Sequence, residues 1–156
     1  MNPSRTLTPK YLALAALLAG STALAAGSDQ LAVSATVARH ASMQVLAQPA
    51  FLQLTPVDIG RGYVDLPGSS QVAIRSNSPE GYLVMLSSEA DFVTSTVLRG
   101  LSTDVQWGAA GGAVAQRATG PGMSRQLLAL SYRFMLSPTA RPGTYAWPVR
   151  LAVSPL

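Results

Sequence analysis

Cysteine is absent from the 156 residues, so an oxidising compartment would add no covalent staple and stability must come from packing. Histidine occurs once, at His40. A zinc site calls for three or four ligands, which one histidine and no cysteine cannot supply in the usual set. A Ser-His-acid arrangement needs a histidine bonded to a nucleophile and to an orienting carboxylate, and no serine stands in a nucleophile-elbow sequence. Neither a D-x-D-x-D-G calcium loop nor a G-x-x-x-x-G-K phosphate loop occurs. Asp58, Asp65, Glu89 and Asp91 follow turns or strand ends, where acidic residues are ordinary. No catalytic constellation is left, and no enzyme activity, metal or small-molecule cofactor is expected.

Lysine is nearly absent too: Lys10 is the single one, and it lies in the first 25 residues together with Arg5. Beyond them stand nine arginines and seven acidic residues, a net charge of +2. The arginines are scattered singly, so neither the charge nor its distribution suggests nucleic acid.

Long hydrophobic runs are also missing. The one apolar stretch, Tyr11 to Gly20, falls well short of the roughly 20 residues that span a bilayer. It follows a basic start and precedes Ser21-Thr22-Ala23-Leu24-Ala25-Ala26, the three-part pattern of a secretory signal peptide. Ala23 and Ala25 satisfy the small-x-small rule, so residues 1–25 are expected to be removed. The remaining 131 residues suffice for one domain with a real core.

What is present is period-two alternation. Leu31, Val33, Ala35 and Val37 alternate with polar or small residues, and after Arg39 and His40 the row resumes at Ala41, Met43 and Val45. This reads either as an extension (residues 26–40) followed by a first domain strand, or as one bent strand. Short strands are predicted at Phe51–Leu54, Tyr63–Leu66, Gln71–Arg75, Tyr82–Leu86, Phe92–Leu98 and around Val105 and Trp107, separated by Pro, Gly and Asn turns. Gly108 to Ala113 reads as a flexible hairpin tip. Leu128, Leu130, Tyr132, Phe134 and Leu136 form a strong apolar face. The last stretch, Gly143 to Leu156, places Tyr145, Trp147, Val149, Leu151 and Val153 on one side of an extended chain, with Pro148 in its middle. Proline cannot donate to a ladder, so this strand should have a free or irregular edge. Such edges recruit other chains by strand addition unless they are covered. The fold class is all-β, a sandwich over residues 41–156, with a closed barrel as the alternative that periodicity cannot separate.

The segments LAVSATVARHASMQV, SQVAIRSNSPEGYLVML and LSYRFMLSPTARPGTYAWPVRLAVSPL, following a signal peptide in a cysteine-free chain, together resemble the pilin-like subunits of bacterial chaperone-usher fimbriae. Within that family the similarity is to the archaic branch that includes spore coat protein U-like proteins. The resemblance covers most of the mature chain and is one of pattern and segment order. It implies a single immunoglobulin-like sandwich lacking one strand. A periplasmic chaperone would hold it, an outer-membrane usher would pass it to the cell surface, and the N-terminal extension of a sister subunit would complete it. Carried over residue by residue, Leu31, Val33, Ala35 and Val37 would be the plugs of the donated strand, and Tyr145, Trp147, Val149 and Leu151 would line the groove that accepts them. The competing expectation is a secreted, self-complete β-sandwich that binds a carbohydrate or a protein through loops around Trp107 and Gly120.

Overall fold

The computed structural model describes residues 34–120 and 122–156. The signal-peptide reading of residues 1–25 and the positions of Leu31 and Val33 lie outside them. The chain divides into two units, Met1–Thr36 and Val37–Leu156. Of the first, residues 34–36 are described, and they are exposed and outside any strand.

In the second unit the alternating rows become antiparallel strands: β1 (Ala41–Ala47), β2 (Phe51–Leu54), β3 (Tyr63–Ser76), β4 (Tyr82–Ser88), β5 (Val93–Arg99), β6 (Val105–Gly108), β7 (Gly112–Gln116), β8 (Ser124–Leu136), β9 (Gly143–Ala146) and β10 (Val149–Pro155). They form a five-stranded sheet in the order β1-β3-β8-β5-β6, a three-stranded sheet β10-β4-β7 and a two-stranded ladder β2-β9. Both larger sheets are open among the described residues, which favours the layered arrangement over a closed barrel. The core holds Val72, Ile74, Leu98, Leu130, Tyr132 and Phe134 from the larger sheet and Tyr82, Val84, Leu86 and Val149 from the smaller one. The even-numbered apolar row of β8 thus faces inward, as its spacing requires.

Four local features differ from the sequence expectation, each for a physical reason. A six-residue helix, α1 (Pro56–Arg61), stands where Pro56 suggested only a turn. Pro56 occupies the first turn, where its missing N–H costs nothing, and Thr55 with Asp58 forms a reciprocal capping box. Tyr63–Leu66 and Gln71–Arg75 are one strand rather than two. Pro67-Gly68 makes an irregularity in the β3–β8 pairing between Leu66 and Ser70, and Gly68 N–H donates to Ser131 Oγ at 2.8 Å, so the extra residues bulge outward without turning the chain. The Gly108 to Ala113 stretch is not a hairpin tip: it carries the chain from β6 in the larger sheet to β7 in the smaller. Finally, Gly143 to Leu156 is not one strand. It breaks at Trp147-Pro148, with β9 paired to β2 and β10 paired to β4, because Pro148 has no N–H to continue a ladder.

Candidate functional site: an open seam between β1 and β10

The two strands that end their sheets on one side of the fold are β1 and β10. Their inward-facing residues are set by register. In the β1–β3 pair, Ala41 faces Ser76, Met43 faces Ile74 and Val45 faces Val72. In the β10–β4 pair, Leu151 faces Leu86, Val153 faces Val84 and Pro155 faces Tyr82. Directly opposed residues of an antiparallel pair share a face, so both edge rows point toward the core.

Their burial does not match that direction. One strand in, the rows are sealed: Val72 is 1% exposed, and Ile74, Val84 and Leu86 are comparable. At the edge, Val45 is 46% exposed, and Ala41, Met43, Leu151 and Val153 are only partly buried against the same core. Five apolar side chains that belong to the interior by register therefore border solvent along one seam. The Cα atoms of β1 and β10 approach within 8 Å of each other, yet no ladder joins the two strands. The backbone groups of β10 that point away from β4 meet no strand on that side among the described residues, which is the template that strand addition uses.

Both ends of the seam are tied. At one end the β2–β9 ladder pairs Phe51 with Ala146, and Trp147 N–H donates to the Ala50 carbonyl at 3.0 Å. At the other, Arg39 Nη1 donates to the Leu156 carbonyl at 2.7 Å and its guanidinium pairs with Glu80 at 3.1 Å. Ser78 Oγ donates to the same Leu156 carbonyl at 2.6 Å. Asn77 holds the chain just before β1, donating from Nδ2 to the Ala38 carbonyl at 2.9 Å and accepting from His40 N–H at 2.5 Å. Beneath the seam, burial pushes the Tyr82 phenol above its ordinary value, and its hydroxyl donates to Gln126 Oε1 at 2.6 Å. The phenol at this end of the floor is thus held neutral.

Leu31 and Val33 lie outside the described residues; the other six residues assigned by resemblance, and Trp107, separate on the structure. Leu151 lies on the seam, and Val153, absent from the expected set, lies beside it. Val149 is instead sealed in the core. Tyr145 stands opposite Leu52 in the β2–β9 ladder, its ring 4.2 Å from that of Phe92. Trp147 wedges edge-on against Tyr132 and Phe134, at 5.3 and 5.7 Å. The strand break at Pro148 moves both aromatic residues off the row that Leu151 occupies. Val37 is 78% exposed, and Ala35 is also exposed, both outside any strand. Trp107, the expected ligand-loop residue, is only 4% exposed: it faces Thr96 within the β5–β6 pair, so its ring offers no stacking surface. Ala41, Met43 and Val45 were visible as an alternating row, but nothing local says that a row lies at a sheet edge.

Comparison with known proteins gave no match to a protein-family model, to a curated protein or to a solved structure.

Proposed function

We propose that this protein is a structural subunit of a chaperone-usher type fimbria, an immunoglobulin-like sandwich that accepts a β-strand from a sister subunit along the β1–β10 seam. The observation that carries the reading is the mismatch between register and burial at Ala41, Met43, Val45, Leu151 and Val153. An incoming strand would bond the free edge of β10 and cover this apolar row with alternate side chains of its own. The donor is the segment before β1, with Leu31, Val33, Ala35 and Val37 as plugs. A contact between one subunit's extension and the next subunit's seam is heterologous and does not close on itself, so it builds a fibre. Partners on this reading are sister subunits, a periplasmic chaperone and an outer-membrane usher, reached after cleavage of residues 1–25, with the cell surface as destination.

Strand acceptance has a geometric cost. Neighbouring strands lie about 4.8 Å apart, so a strand placed between β1 and β10 needs roughly 9.6 Å. The two edges approach within 8 Å and must part before a donor fits. That closeness favours the second reading, a self-complete sandwich that functions as a secreted binding module.

One experiment separates the two. Protein comprising residues 26–156 is refolded from guanidinium alone and with excess labelled peptide Ser28–His40, then sized by gel filtration. Strand exchange predicts a concentration-dependent oligomer series that the peptide truncates and labels. A monomer at every concentration that retains no peptide would establish the self-complete module instead.

A further inference from the structure

At the start of β10, three connections meet around a cleft of about 560 Å³. They are the β4–β5 turn with Glu89, Asp91 and Phe92, the β8–β9 turn with Arg141, and the break between β9 and β10. We infer that this cleft is a binding site for a neutral saccharide, and the inference stands independently of strand acceptance.

Three observations carry it. The first is size and rigidity. The volume falls in the range of roughly 300–1,000 Å³ typical of small-molecule sites, which are largely pre-formed. Here the connections are tied to one another. Ser137 N–H donates to the Phe92 carbonyl at 2.8 Å, and Glu89 N–H donates to the Pro148 carbonyl at 3.3 Å. Tyr145 OH donates to the Arg141 carbonyl at 2.9 Å. A ligand would therefore find the walls in place and would not have to order them.

The second observation is the aromatic wall. Phe92, Tyr145 and Trp147 all line the cleft, and none of them is fully buried. Phe92 and Tyr145 brace each other at 4.2 Å between ring centroids. Aromatic side chains combine a large apolar face with low conformational freedom, which suits them to the C–H face of a sugar ring.

The third is charge. Glu89 and Asp91 are offset by Arg141 and Arg150, all four on the cleft. Glu89 and Arg150 are already paired at 2.9 Å. The carboxylate of Asp91 and the guanidinium of Arg141 have no ion-pair partner among the described residues. The cleft thus presents one free acceptor set and one free donor set, and its formal charges sum to zero. An anionic or cationic ligand would gain nothing from the sum of charges. A polyol, whose hydroxyls both donate and accept, can use both groups.

The test uses methyl glycosides of glucose, mannose, galactose, N-acetylglucosamine and L-fucose, each at about 20 mM, well above a millimolar Kd, with protein comprising residues 26–156. Saturation-transfer NMR identifies any binder and tryptophan fluorescence titrates it. At least one glycoside should bind. The affinity should fall about tenfold or more in Asp91→Ala and in Arg141→Ala, since each removes a charge-assisted hydrogen bond. Both are exposed loop side chains, so circular dichroism should be unchanged, and Arg125→Ala, on the outer face of β8, should bind like the parent. Absence of transfer to all five glycosides overturns the assignment. So does binding that survives in both cleft variants, or a stronger response to galacturonate or glucosamine than to any neutral sugar.

Discussion

Val45→Asp tests the seam most directly, because its two expected effects differ in size. In the isolated protein Val45 is 46% exposed, so about half of a valine's burial is lost, roughly 1 kcal/mol. The new carboxylate keeps much of its water, and the fold survives. With a donor strand over the seam, the same carboxylate would be covered between Val72, its partner across the β1–β3 pair, and the donor's own plug. Full burial raises a carboxyl pKa by up to about 3–5 units, and a site part-way there by about 2–3. At about 1.36 kcal/mol per unit, this is roughly 3–4 kcal/mol near pH 7, a loss of about 100- to 1,000-fold in donor affinity. Near pH 5 the group takes up a proton on binding, and most of that affinity should return. Fluorescence anisotropy of a labelled Ser28–His40 peptide at the two pH values reads the ratio, and urea unfolding reads the stability. Leu127→Asp is the control: Leu127 is 66% exposed on the outer face of β8, so the same charge there should leave peptide affinity unchanged. Affinity of Val45→Asp within about threefold of the parent near pH 7 would refute the placement of the donor over this row. Failure of the variant to fold would show that Val45 belongs to a closed core.

Further outcomes follow from the fold itself. Phe134→Ala should cost roughly 3–5 kcal/mol by urea unfolding, since Phe134 is 0% exposed and its ring lies 5.7 Å from both Tyr132 and Trp147. A loss below about 1 kcal/mol would mean that the two sheets do not meet at that ring. Gly100→Ala should destabilise by more than about 1 kcal/mol, because the residue has φ 105° and the added Cβ would lie 2.2 Å from the Ala129 carbonyl oxygen. Gly120→Ala, with nothing within 4 Å of its Cβ, should be nearly neutral in the same assay. Asp65 is held below its ordinary value of 3.8 by the hydrogen bonds from Arg133, at 2.6 and 2.8 Å. A depressed folded-state pKa contributes stability that is present above the unfolded value and lost as pH falls through the folded one. Stability should therefore decline below about pH 4, and Asp65→Asn should flatten that decline; an unchanged acid limb would remove the Arg133 pair as its cause.

What the chain determined by itself is the set of faces. Leu128 to Leu136 in steps of two, Ala41 to Val45 and Leu151 to Val153 are apolar on one side because a strand's side chains alternate. That pattern survives whatever lies beside the strand. Pro148 likewise carried its own information, since a missing N–H interrupts a ladder in any context. The capping box Thr55-Pro56-Val57-Asp58 is also a local exchange of hydrogen bonds, although Pro56 by itself suggested only a turn.

Lateral neighbours are a different matter. Alternation reports which side of a strand is oily and is silent on how many strands flank it, so Val45 and Val72 look alike in the sequence although one is 46% and the other 1% exposed. Long-range pairing alone put Val72 in the middle of a sheet and Val45 at its end. It also placed Trp107 inside the core and sent Tyr145 to the β2–β9 ladder while leaving Leu151 on the seam. Edge status is a property of non-local contacts, and only the tertiary structure records them.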